Sequence, residues 1–238
     1  MAPYKCLVLC AAIACCAVAA RAQGTFQNLG FESATLVPIF GNSSSPVQFA
    51  PAFPGWTGSI GGVQVSAALY NNFFLDTSGI GIMDSGGPFL GGVIQGTYTA
   101  MLQAGLASGP DGMLQPADTT LSQTGLVPAA ARSLLFRADL DGSSAAFVVT
   151  LGGQALSLFP LGGGTNYTLY GADIQALAGQ TAELDFTVIA QRPYASEIHN
   201  VLLDSIQFSG IAIPEPGILG LSALGAMLLG WWIWHKRR

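Results

Sequence analysis

Cysteine is missing from all but the first 22 residues of this 238-residue chain; Cys6, Cys10, Cys15 and Cys16 are its only four. From Gln23 onward there is no thiol, which excludes a disulfide framework, a cysteine nucleophile and a thiolate metal site from the body of the protein. Positive charge is almost as scarce. Between Gln23 and Ile213 there is no lysine, and the arginines are Arg132, Arg137 and Arg192. Twelve carboxylates, from Glu32 to Asp204, stand against those three arginines, so this stretch carries a net charge of −9 (twelve less three). Such a surface repels a phosphate backbone, and nucleic acid is excluded as a partner. It would instead attract cations such as calcium.

Catalytic signatures are equally sparse. His199 is the one histidine ahead of the C-terminal segment, and its setting, EIHN, reads as a polar loop entering a strand. No nucleophile-elbow pattern of glycines surrounds a serine. No glycine run leads into Lys-Ser or Lys-Thr, as a phosphate loop requires. A glycosidase needs two facing carboxylates, but among twelve some pair will always lie close, so the pattern discriminates nothing. The sequence therefore predicts no catalytic residue and a non-enzymatic protein. A secreted hydrolase, built on His199 or a carboxylate pair, is kept as a third reading.

What is present at the N-terminus is an export signal. Lys5 precedes an unbroken apolar run, Cys6–Ala20, and Ala20-Arg21-Ala22 has the small-x-small form that signal peptidase reads. Residues 1–22 are assigned as a signal peptide, with cleavage between Ala22 and Gln23. The remaining 190 or so residues up to 212 are enough for one domain with a sizeable core.

Within 23–212 the apolar residues recur with period two, the spacing of half-buried strands. In LLFRADL, Leu134, Phe136, Ala138 and Leu140 share a face opposite Arg137 and Asp139. Leu184, Phe186 and Val188 alternate with Glu183, Asp185 and Thr187; Phe147, Val149 and Leu151 line a third strand. Further strands are expected at 26–32, 47–50, 55–60, 63–70, 79–84, 93–104 and 119–127, with one helical turn near Asp173–Leu177. Asp141-Gly142 and Gly152-Gly153 are expected hairpin junctions. The predicted fold class is all-β: a single β-sandwich or jelly roll ectodomain.

FQNLGFESA (Phe26–Ala34), TLSQTGLVPAAARSLLF (Thr120–Phe136), GADIQALAGQTAELDFTV (Gly171–Val188) and VLLDSIQFS (Val201–Ser209) together resemble the galactose-binding-like jelly rolls of carbohydrate-binding modules. In that group a structural calcium is often held between the first and last strands by an early Glu and a late Asp, which the resemblance places at Glu32 and Asp204. Period two sets Asp204 on one face with Leu202, Ile206 and Phe208, where an unpaired carboxylate would be costly. Two readings are open: calcium bound by Glu32 and Asp204, or Asp204 capping backbone N–H groups with Glu32 solvated. Asp139-x-Asp141-Gly142 lacks the rest of a calcium loop and reads as a turn. No other cofactor is expected. Trp56 and Tyr70, with Phe73 and Phe74 nearby, are either core aromatics or a platform for a glycan ring. Asn42-Ser-Ser and Asn166-Tyr-Thr fit the N-glycosylation sequon and are expected to be incidental.

The C-terminus carries an address. Gly217–Trp234 is an 18-residue run without charge, about 27 Å as a helix, which suits a transmembrane span. Trp231, Trp232 and Trp234 suit the interface, and Lys236, Arg237 and Arg238, in the basic tail 235–238, would stop on the cytoplasmic side. Pro214-Glu215-Pro216 precedes the span, and its prolines favour extended backbone. Motif, span and tail over 213–238 resemble the PEP-CTERM sorting signal of Gram-negative bacteria, whose implied reader is exosortase, a membrane protease. The resemblance implies that Pro214, Glu215 and Pro216 are recognised rather than catalytic, and it associates the protein with exopolysaccharide and biofilm matrix. The expectation is an exported protein, anchored in the inner membrane with its ectodomain outside the cytoplasm and then passed to the envelope or matrix. Its role is expected to be structural or adhesive, with a carbohydrate-binding module retaining exopolysaccharide as the alternative.

Overall fold

The alternation of apolar and polar side chains is realised, among the described residues, as fifteen strands. The computed structural model describes residues 25–41, 45–73, 76–87, 92–140, 147–190 and 199–213, the side chain of His199 excepted. The expected signal peptide and its Ala22/Gln23 junction, Asn42, Phe74, Asp141-Gly142, the Pro214–Pro216 motif, the apolar run and the basic tail lie outside these residues. Among the described residues no helix is long and apolar enough to cross a membrane.

In chain order the strands are β1 (Val47–Gln48), β2 (Thr57–Ile60), β3 (Val63–Gln64), β4 (Ala67–Tyr70), β5 (Gly79–Met83), β6 (Thr99–Ser108), β7 (Leu114–Ala117) and β8 (Thr119–Leu126). They continue as β9 (Ser133–Asp139), β10 (Phe147–Leu151), β11 (Gln154–Ala155), β12 (Phe159–Gly163), β13 (Thr168–Asp173), β14 (Thr181–Val188) and β15 (His199–Ser209). A single helical turn, α1 (Phe49–Ala52), follows β1, and a 3-10 turn at Gln175–Leu177 sits where the helical turn is expected. The larger sheet has the order β1-β4-β5-β6-β15-β9-β13-β12, with β7 added beside β6; the smaller is β11-β10-β14-β8-β2-β3. The β4–β5 pair is parallel and the remaining ladders are antiparallel.

The faces predicted from period two meet between the sheets. Leu134, Phe136 and Ala138 of the larger sheet and Leu184, Phe186 and Val188 of the smaller are buried in one cluster. Phe136 lies edge-on to Phe186 at 5.3 Å and to Phe147 at 6.1 Å, and stacks with Tyr170 at 5.6 Å. Edge-to-face pairs of this kind add to the area term that dominates burial. The larger sheet also covers its outer face. Leu69, Met83, Met101 and Leu202 point away from the sandwich and form a second cluster with Ile94, flanked by Phe73 and Tyr167. Strands β5 and β6 are consequently buried on both sides.

Three local expectations are corrected. Phe26–Glu32 is not a strand: Asn28 and Phe31 adopt φ of 49° and 58°, and the Asn28 carboxamide accepts the Ser33 N–H at 2.9 Å, closing a turn that competes with a ladder. The Gln123 side chain stands in for a strand partner, accepting from the Gln27 N–H and donating to the Gln27 carbonyl at 3.0 Å. The strand expected at 93–104 begins only at Thr99, because Gln95, Thr97 and Tyr98 give their N–H groups to carboxylates. Finally, β9 and β10 do not form a hairpin across Asp141-Gly142. Strand β9 pairs with β13 and β15, whereas β10 pairs with β14 and β11 in the other sheet. The Gly152-Gly153 expectation fares differently: Leu151 faces Gln154 across a two-residue turn in which both glycines have positive φ, the form that matches strand twist.

Candidate functional site

Asp204 is placed by a bulge. Strand β15 runs beside β9 in register until Asp204 opposes Arg137, and the ladder then shifts before Gln207 opposes Leu135. Ser205, at φ 52°, takes up the extra residue. A bulge reverses the parity of everything beyond it. Leu202 and Asp204 therefore face outward, while Ile206 and Phe208 turn into the core. The sequence expectation that these four share one face fails for that reason.

The Asp204 carboxylate is 1% exposed. It accepts from the Thr99 hydroxyl at 2.7 Å, the Gln95 N–H at 3.1 Å and the Ser205 N–H, while the Ser205 hydroxyl has Gln95 Oε1 at 2.8 Å and the carboxylate at 3.2 Å as acceptors for its one proton. Burial pushes its pKa up to about 6, against the pull of these hydrogen bonds. Glu32 takes the same loop from its other side, accepting from the Thr97 N–H at 3.0 Å and the Tyr98 N–H at 3.2 Å. Gly96 lies between, at φ 73°, and a Cβ there would run into the Glu32 carboxylate. The two residues that the resemblance pairs are thus brought to one loop, and each is used as an acceptor of backbone N–H groups. Donors of that kind satisfy an anion, as the capping reading of Asp204 expects. Among the described residues no group of three or more His, Asp or Glu side chains converges on a point. Arg137 closes the rim: it donates to the Ser205 hydroxyl at 3.2 Å and lies 5.1 Å from the centre of the Tyr167 ring, a cation–π distance.

Trp56 is 5% exposed. Its ring lies 5.7 Å from that of Phe31 and 6.2 Å from that of Phe186, and its indole N–H donates to the Asn28 carbonyl at 3.1 Å. Its ring is buried and its polar edge is occupied, so the glycan-platform reading of Trp56 does not fit this geometry. Tyr70 is half-buried at the end of β4. Its hydroxyl donates to Asp84 at 2.6 Å. That bond, then burial, lifts the Tyr70 pKa to about 12, and the same bond holds the Asp84 carboxyl below its ordinary value. Asp84 also accepts from the Asn71 carboxamide and, at 2.7 Å, from the Gly86 N–H. The sequence reading passed over Asp84, although Asp84-Ser85-Gly86-Gly87 is a readable Asx-turn phrase. Thr99, Gln95 and Ser205 left no such signal. Asn166 donates to the Val93 carbonyl at 3.1 Å. The concavities lined by Gln154, Asp173 and Gln175, and by Ala130, Arg132 and Gly210, are shallow and open.

Residues 212–238 match the family described as the PEP-CTERM protein-sorting motif. No curated protein matches the chain. A solved structure, the enzymatically active domain of tailspike protein 4 of bacteriophage CBA120, is similar at 14% identity with a TM-score of 0.36. The match covers 66% of this chain and 19% of that one. The chain is therefore an all-β, two-sheet protein that bears a C-terminal PEP-CTERM sorting motif.

Proposed function

We propose that this is an exported, non-enzymatic protein whose sandwich is delivered to the envelope or extracellular matrix through its C-terminal signal, there to act as a structural or adhesive component. The observation that carries the reading is the sorting motif at 212–238, together with the three-part order of Pro214-Glu215-Pro216, apolar run and basic tail. In this reading Gly217–Trp234 spans the inner membrane and an exosortase-type protease recognises Glu215 and its prolines. The test is the mass of the C-terminus of protein purified from its own host. A terminus at residues 214–216 supports sorting by cleavage, and its loss in Glu215→Ala would tie the cut to the motif. An intact Arg238 in the matrix fraction would overturn the reading.

The carbohydrate-binding alternative keeps one residue of its original pair. Tyr70 remains partly accessible, but its hydroxyl is committed to Asp84, so only its ring is left to contact a sugar. Pull-down of the host's own exopolysaccharide, unchanged by Tyr70→Ala, would remove that reading.

A further inference from the structure

The chain does not leave the sandwich freely after β15. Ser133, buried at 1% exposure, donates its hydroxyl to the Ile211 carbonyl at 2.7 Å, and Arg132 donates its N–H to the Ser209 carbonyl at 2.7 Å. Ile213 then seats on the outer face of the larger sheet. A Cβ at Gly171 would collide with the Ile213 Cδ1, lie 2.7 Å from Leu161 Cδ1 and come within 3.1 Å of Leu135 Cδ2. Gly171 is thus the floor of a seat whose walls are Leu135, Leu161 and Ile213. Phe159, which opposes Gly171 in the β12–β13 ladder, shares this face. Leu161, in the seat, is 43% exposed, and Ile211, two residues before Ile213, is 78% exposed. Leu135, Phe159, Leu161 and Ile213 make an apolar patch, with Arg137 and Asp173 at the next outward positions of β9 and β13, and exposed apolar patches mark contact surfaces.

The apolar run begins at Gly217, four residues past the seated Ile213. Even fully extended, those four residues reach about 14 Å. We propose that, while the anchor is intact, this patch lies against the lipid surface, so that the docked exit orients the sandwich and presents Pro214-Glu215-Pro216 at the bilayer. The inference rests on Gly217–Trp234 spanning a membrane.

The body lacks cysteine, which makes site-specific labelling clean. Full-length protein with Cys6, Cys10, Cys15 and Cys16 replaced by alanine is labelled with a fluorophore at Thr165→Cys, in the exposed β12–β13 loop, or at Val63→Cys, which is 71% exposed on the other sheet. Each is reconstituted in phosphatidylethanolamine–phosphatidylglycerol vesicles containing headgroup-nitroxide lipid. Quenching at position 165 is expected to exceed that at 63 by about threefold, as for an apolar face held at the interface. A Gly-Ser insert of about twenty residues after Ile213, with a root-mean-square reach of about 25 Å, should reduce it toward the level at 63. The Leu161→Glu/Ile211→Glu pair, both at exposed positions, should do the same. Equal quenching at the two positions in protein that floats with the vesicles overturns the inference and leaves the anchor standing. Protein that fails to float overturns the anchor, and the inference with it.

Discussion

Asp204 shows how one residue can be costly and still be kept. Its carboxylate is buried, and the group is neutral or charged according to pH. Its folded pKa, about 6, lies above the ordinary 3.8. The folded protein therefore holds the proton over a range in which the unfolded chain has lost it. Stability from this group is complete below about pH 4 and is lost as pH rises through 6, by roughly 3 kcal/mol at most. Urea midpoints of wild type and Asp204→Asn should accordingly diverge with pH between 4 and 6 and run parallel above 7. A constant difference across that range would show that Asp204 does not titrate there. Removing the carboxylate altogether is a different experiment. Asp204→Ala leaves the Gln95 and Ser205 N–H groups and the Thr99 hydroxyl without their acceptor, and about 2–4 kcal/mol should be lost at neutral pH. Trp56 makes a parallel case in the core. Trp56→Ala should cost about 3–5 kcal/mol through the cavity it opens among Phe31, Phe186 and their neighbours, and thermal denaturation will register it.

At the scale of elements, the bulge in β15 decides which side chains the last strand buries. Strict alternation through Ser205 would turn Ile206 and Phe208 out of the core, whereas deleting Ser205 removes the bulge and leaves both facing inward. The β10–β11 hairpin depends on backbone conformation instead. Gly152 and Gly153 sit at φ 60° and 76°, and Gly153, with nothing near its missing Cβ, isolates the conformational effect. Gly153→Ala should cost about 1 kcal/mol, readable as a shift in urea midpoint, with no steric contribution.

In the molecule as a whole, body and tail rest on different physics. The two-sheet body is held by a continuous apolar interior and needs no crosslink, consistent with its lack of cysteine beyond residue 22. The tail works through composition rather than shape. An apolar run and a basic stop act on a bilayer whatever domain precedes them. Full-length protein should therefore resist carbonate extraction from membranes, whereas a chain ending at Ile213 should be released.

From the sequence alone, composition and alternation were enough to determine an all-β body, the inward faces of β9, β10 and β14, the Gly152-Gly153 turn and the sorting tail. Each of these depends on residues close together in the chain, where period and turn chemistry act directly. Tertiary structure alone decided that β9 and β10 belong to different sheets, that Phe26–Glu32 coils rather than extends, and that Asp204 and Glu32 grip one loop. Pairing partners and buried hydrogen bonds join residues as far apart as Gln95 and Asp204, and no local pattern records which distant donor will satisfy a carboxylate once water is excluded.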